Sequence, residues 1–305
     1  MDLKDKVAVV TGSGRGLGRA YAEALGAAGA SVVVNAVNAG AAAEAVKAVE
    51  AAGGRAVSVV APVGSAETAE QLVETAVSAF GRIDTMVTNA GILRDRTLWK
   101  MTDDDFDDVI RVHLRGTFTC ARAAAVRMRE QGEGGRLVLI ASPAGQRGNF
   151  GQTNYAAAKA GIVAMARTWA MELAKADITA NAIVPVAATD MTRTIPVFAP
   201  YIEEAERTGD PLPDWIRKNE GLGTVEDVAS LVVFLASDDS AGITGQAIGI
   251  GGDRLALWSH PQEKTVALAD GGWSAAAIAE HWSPQVRSEL ESYGLTPPKA
   301  PGSAH

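Results

Sequence analysis

The stretch Val7-Ala8-Val9-Val10-Thr11-Gly12-Ser13-Gly14-Arg15-Gly16-Leu17-Gly18 constrains this chain more than any other. A short apolar run rich in β-branched residues predicts a buried strand, and the glycine cluster behind it predicts a sharp turn. The Ala/Leu-rich segment from Tyr21 to Ala28 predicts a helix, and Ser31–Val34 a second strand. Strand, glycine turn, helix and strand in that order form a unit in which missing β-carbons let the backbone bend and let a ligand approach it. A pyrophosphate brought that close rests on the positive N-terminus of the helix.

The same alternation continues along the chain. Further strands are expected near Val57–Val60, Met86–Thr88, Leu137–Ala141, Ala180–Val184 and Ala247–Ile250, with helix-like stretches between them. Continuously apolar strands alternating with helices predict an α/β fold: one Rossmann-like, doubly wound parallel sheet with helices on both faces. The rhythm breaks between Met191 and Leu222, where Pro196, Pro200, Pro211 and Pro213 mark a loop and short-helix insertion. Residues 1–252 are thus expected to form one dinucleotide-binding domain that contains the 191–222 insertion. Residues 253–305, carrying Trp258, Trp273 and Trp282, are expected to form a C-terminal extension with a frayed tip.

Charge and cysteine content narrow the partners. With 36 acidic against 28 basic residues, and no basic cluster, neither nucleic acid nor an anionic membrane is an expected partner. No run reaches the ~18 uninterrupted apolar residues of a membrane span. The single cysteine, Cys120, lies in an apolar context and reads as a small core residue, which suits a reducing cytoplasm.

Chemistry is concentrated in Tyr155-Ala156-Ala157-Ala158-Lys159. A four-residue step on a helix puts phenol and ammonium on one face. A free phenol titrates near ~10, too high for proton exchange at neutral pH, and a neighbouring cation is expected to lower it. Ser142, thirteen residues earlier at the end of a predicted strand, can offer its hydroxyl to a substrate oxygen. Asn89-Ala90-Gly91 follows another strand at the carboxyl edge of the sheet, where ligands of such folds bind.

Thr11–Gly18, Asn89-Ala90-Gly91, Ser142, Tyr155 and Lys159, in this order and spacing, resemble the short-chain dehydrogenase/reductase family across Lys4 to Gly252. The resemblance implies an NAD(P)-dependent oxidoreductase that interconverts a secondary alcohol and a ketone. It implies Tyr155 as general acid in reduction, Ser142 as orienter of the carbonyl, and Lys159 as the group that holds the nicotinamide ribose and lowers the Tyr155 pKa. The cofactor contacts it implies are Gly12, Ser13, Arg15, Gly16, Leu17, Gly18, Ala36, Val63, Asn89, Ala90, Gly91, Tyr155, Lys159, Pro185, Thr189 and Met191; it implies no metal. A closer resemblance covers Asn89 to Thr194. Gly91-Ile92-Leu93-Arg94-Asp95-Arg96, Arg111-Val112-His113-Leu114-Arg115-Gly116 and Gly148-Asn149-Phe150-Gly151-Gln152 are similar to the (3R)-hydroxyacyl-CoA dehydrogenase domain of the peroxisomal multifunctional enzyme type 2 branch, also called 17β-hydroxysteroid dehydrogenase type 4.

Departures from the wider pattern shape the remaining expectations. His113 stands where the family usually has Asn, as it does in that branch, and the relay role of the Asn runs through its backbone carbonyl; His113 is therefore counted with the catalytic set. Ala36 stands where NAD-using members carry Asp, and Arg15 lies within reach of a 2′-phosphate, which favours NADP, with NAD as the alternative. Pro62 precedes Val63 where many members have Asp, and the usual Pro-Gly is Pro185-Val186. The expected substrate is a small carbonyl or alcohol, with a 3-hydroxyacyl-CoA or 3-oxoacyl thioester ahead of a ketosteroid or polyketide-like ketone. A dinucleotide-sensing module without turnover would need only the glycine turn, not Ser142, Tyr155 and Lys159. Family members form dimers or tetramers, so a homo-oligomer is expected.

Overall fold

The computed structural model describes residues 1–189, 192, 195–282 and 284–295. Eight strands form one sheet: β1 (Val7–Val10), β2 (Ser31–Ala36), β3 (Arg55–Val60), β4 (Thr85–Thr88), β5 (Gly135–Ile140), β6 (Ile178–Pro185), β7 (Ala247–Gly251) and β8 (Arg254–Trp258). They lie in the order β3-β2-β1-β4-β5-β6-β7-β8. The first seven run parallel, and β8 turns back antiparallel on β7.

Between strands come α1 (Gly16–Ala27), α2 (Ala39–Ala51), α3 (Ala66–Phe80), α4 (Asp103–Val109), α5 (Gly116–Gln131), α6 (Pro143–Arg147), α7 (Thr153–Glu172), α8 (Ala199–Thr208) and α9 (Val225–Ala236). Alternate residues of each strand feed opposite layers. Val7 and Val9 pack with Leu72, Cys120, Met128 and Ile162, from α3, α5 and α7. Ala8 and Val10 pack with Tyr21, Leu25, Val49 and Val232, from α1, α2 and α9. Burial raises the Cys120 thiol to about 12, so it is an inert core residue.

The order reverses beside β1, whose neighbours are β2 and β4, and the ends of these strands open the crevice in which such folds bind ligands. The insertion has its own small core of Phe198, Ile202, Leu212, Ile216 and Leu222. It is tethered by Arg217, which pairs with Asp227 of α9 at 3.0 Å and with Asp253 of the β7–β8 turn at 2.7 Å. Beyond β8 come α10 (Ala275–His281) and α11 (Pro284–Ser288), whose flanking chain folds back on α6. The Gly294 N–H donates to the Arg147 carbonyl at 2.7 Å, and Arg147 donates to the Ser292 hydroxyl at 3.0 Å. No helix among the described residues is long and apolar enough to cross a membrane.

Candidate active site

The glycine turn leaves β1 and enters α1. A β-carbon on Gly12 would sit 2.6 Å from Ala90 Cα, one on Gly14 would sit 2.9 Å from Ala36 Cβ, and one on Gly18 would collide with the Gly12 carbonyl. These three glycines are required by packing. Gly16 differs: its φ is +55°, and a β-carbon there would meet nothing within 4 Å. α1 begins at Gly16 with no side-chain cap, so its first backbone N–H groups are open to a dinucleotide pyrophosphate and the residues present fit that cofactor.

Two residues without an assigned role in the sequence hold this turn. The Thr11 hydroxyl accepts the N–H groups of Asn89 at 2.9 Å and Ala90 at 3.1 Å. Asn35 accepts the Gly12 N–H at 3.2 Å and donates to the carbonyls of Val59 and Ala61 at 3.2 and 2.9 Å. Asn89 donates back to Thr11 and Gly12, both at 3.1 Å. The two loops at the ends of β1 and β4 are therefore one hydrogen-bonded unit. A buried polar side chain with several backbone partners is invisible until tertiary structure supplies those partners.

The expected cofactor residues do not all present side chains to a ligand. Arg15 and Gly16 are exposed, whereas Ser13 is fully buried, donating to the Val10 carbonyl at 2.7 Å and accepting the Asn35 N–H at 3.0 Å. Ser13 thus serves the turn itself. Leu17 packs on the core, Ala36 and Val63 are buried, and no acid ends β2. Pro185 closes β6; Thr189 lies just past it, its N–H donating to the Thr192 hydroxyl at 2.7 Å. Met191 falls outside the described residues.

Ser142 caps α6, accepting the Ala144 N–H at 3.2 Å, and α6 packs directly on α7: a β-carbon on Gly145 would lie 2.6 Å from the Lys159 backbone. Tyr155 and Lys159 lie one turn apart on α7, the Lys159 Nζ 5.6 Å from the Tyr155 ring centre. Lys159 is buried and donates to the Ile140 carbonyl at 2.5 Å, the one hydrogen bond of its three donors among the described residues. Donors left over on a buried ammonium suit a ribose diol.

Electrostatics here depart from the expectation of a lowered phenol. Desolvation pushes the Tyr155 phenol above its usual value, with the Ser142 hydroxyl opposing and the Asp95 charge reinforcing the rise. Desolvation also brings the Lys159 ammonium down to about 7. Buried Lys159 and half-buried Tyr155 each move toward neutrality, and this outweighs the attraction anticipated from their spacing.

His113 lies in a π-helical turn, Ile110–Arg115, between α4 and α5, the kind of bulge often found at functional sites. Its ring meets Tyr155 edge-on, with centres 5.1 Å apart and planes at 89°. Its backbone carbonyl accepts the Gly116 N–H. Around it, buried Asn154 donates to the carbonyls of Arg94 at 3.1 Å and Asp105 at 2.9 Å and accepts the Tyr155 N–H at 2.8 Å. Gln152 donates to Asp95 at 2.8 Å. These residues, also missed in the sequence, fasten the loop after β4 to the start of α7.

Comparison with known proteins follows the same outline. A family model described as enoyl-(acyl carrier protein) reductase matches residues 12–252. A 3-oxoacyl-[acyl-carrier-protein] reductase of Synechocystis is 42% identical over 82% of this chain and 97% of its own length. The hydroxyacyl-CoA dehydrogenase ChsB1 of Mycobacterium tuberculosis is 42% identical over 88% of this chain and 84% of its own. The mouse peroxisomal multifunctional enzyme type 2 is 45% identical over 62% of this chain, which spans 26% of that longer protein. Among solved structures, a short chain dehydrogenase from Mycobacterium paratuberculosis bound to NAD superposes with a TM-score of 0.72 at 30% identity, covering 83% of this chain and 99% of that one.

Proposed function

This chain belongs to the short-chain dehydrogenase/reductase family of NAD(P)-dependent oxidoreductases, and on that footing we propose that Tyr155 exchanges the proton while a 3-hydroxyacyl thioester and its 3-oxoacyl counterpart are interconverted. The observation that carries this reading is the meeting of Tyr155, Lys159, Ser142 and His113 beside a glycine turn with open space over Gly16. A bound nicotinamide dinucleotide supplies or takes up the hydride. The chain does the rest. Gly16 and the start of α1 receive the pyrophosphate, Asn89, Ala90 and Gly91 line the crevice, and Lys159 offers its free donors to a ribose. Ser142 donates to the substrate oxygen and fixes its position. Tyr155 gives that oxygen a proton in reduction and removes one in oxidation, and the desolvation that holds the phenol protonated suits it to the donor role.

NADP is the favoured form, because Ala36 brings no carboxylate to the ribose site and exposed Arg15 is available to a 2′-phosphate. A ketosteroid is the second substrate reading, supported by the insertion's apolar residues Phe198, Tyr201 and Trp215, which suit rings as well as acyl chains. A cytoplasmic homo-oligomer completes the proposal.

The test is a screen of NADH and NADPH oxidation with acetoacetyl-CoA, longer 3-oxoacyl-CoAs and 17-ketosteroids, run on the native protein and on Tyr155→Phe. The native chain should reduce 3-oxoacyl-CoAs with NADPH. Tyr155→Phe should lose turnover by ~10² to 10⁴-fold while its cofactor affinity stays nearly constant. A Tyr155→Phe protein close to native activity overturns the proton assignment, steroid turnover without thioester turnover overturns the substrate, and indifference to NADPH overturns the cofactor choice.

A further inference from the structure

The loop after β4 is fastened along its length. At one end Thr11 holds Asn89 and Ala90, at the other Asn154 holds Arg94, and between them Ile92 meets His113. His113 is 4% exposed. Its Nε2 lies 3.0 Å from the Ile92 amide nitrogen and 2.8 Å from the Ile92 carbonyl oxygen. A neutral imidazole nitrogen either donates or accepts. Protonated, Nε2 donates to the Ile92 carbonyl; unprotonated, it accepts the Ile92 N–H. Both tautomers therefore grip the same residue through the same atom with the ring in place.

Of two further facts, one bears on the nitrogen and the other on the ring's shape at this position. The second nitrogen, Nδ1, is buried without a hydrogen-bond partner among the described residues, a desolvation penalty that an apolar ring of the same shape would not carry. Gly91 also has to lack a side chain, because a β-carbon there would collide with the imidazole. Burial, with the Lys159 charge beside it, brings the ring down to about 3, so at neutral pH it is a neutral imidazole in one or other of these tautomers.

We propose that His113 is a positioning residue whose side chain clamps the Ile92 backbone to the Tyr155 ring, so that the cofactor loop and the phenol hold one fixed geometry. This rests on Tyr155 being the acid/base, and it assigns the imidazole a task separate from any relay through the His113 carbonyl. An asparagine amide has a donor and an acceptor on adjacent atoms and can hold both Ile92 groups at once. A phenylalanine keeps the edge contact and loses the grip.

His113→Phe and His113→Asn separate these contributions. His113→Phe should lower kcat by ~10²-fold, the scale of a small misplacement of reacting groups, with KM for the cofactor changed less than about threefold. His113→Asn should keep kcat within about tenfold of native, and thermal unfolding of both checks that they fold. Nitrogen-15 spectra of the native chain should show His113 as neutral imidazole at neutral pH, which needs no variant. The inference is overturned by a His113→Phe enzyme within about threefold of native kcat, by His113→Asn falling as far as His113→Phe, or by an imidazolium signal from His113. Loss in Tyr155→Phe alongside an unaffected His113→Phe removes only the clamp, whereas an active Tyr155→Phe removes the reading beneath it.

Discussion

Lys159 holds its ammonium where water does not reach, so the residue that serves the ribose also strains the fold. Its folded pKa of about 7 lies below the ordinary lysine value of 10.5, so between these limits the unfolded chain binds more protons than the native one. Stability therefore rises with pH across that window, and the penalty is complete below it. Lys159→Met should be more stable than the cofactor-free native protein by on the order of 2–4 kcal/mol at neutral pH, after allowing for the lost Ile140 hydrogen bond. The gap should close as pH approaches the upper limit. Chemical denaturation at several pH values checks this, and a pH-independent gap would show that desolvation of Lys159 is not its source. Tyr155, Lys159 and Ser142 were legible as residues because their spacing survives in one dimension. Their pKa values were not, since burial, which decides them, is a property of the folded whole.

Among the elements, the seven parallel strands could be read from the sequence, because each carries a short apolar run, which even the largely exposed edge strand β3 keeps in Val57, Val59 and Val60. β8 was missed: Arg254, Leu255, Ala256 and Leu257 are exposed, so no buried face writes a pattern into it. Its signal lay in the turn, since Gly251 pairs with Arg254 and leaves Gly252-Asp253 as a two-residue hairpin connection with Gly252 at φ +52°. The start of α7 carries a similar lesson about polar residues. Asn154 looks like an ordinary helix-start residue in the sequence, yet three backbone groups, from the loop after β4, from α4 and from its own helix, depend on it. Asn154→Ala should destabilise the protein by about 1–3 kcal/mol, measured by urea unfolding, and should lower kcat more than it raises the cofactor KM. An unchanged unfolding midpoint would show that these backbone groups find other partners.

Across the whole molecule, the segment beyond β8 returns to Arg147, within the stretch that joins Ser142 to Tyr155. Ending the chain after His260 should therefore raise the substrate KM or change the oligomer mass, since exposed Leu268, Trp273 and Tyr293 also offer apolar surface to a second copy. Unchanged kinetics and light scattering together would make the segment an inert tail. The central place of β1 has a different kind of consequence, one of time. Its two neighbours are β2, which begins at Ser31, and β4, which begins at Thr85. A nascent chain that has emerged through α3 has already made β1, β2 and β3, yet one edge of β1 still lacks its partner, and both loops of the cofactor crevice must wait for Asn89. Synthesis at ~5–20 residues per second leaves that apolar edge unpaired for seconds, longer than a hairpin takes to close by orders of magnitude. The feature that puts the ligand crevice at the middle of the sheet thus also makes the stretch before β4, while it is being made, a part in need of protection from its neighbours.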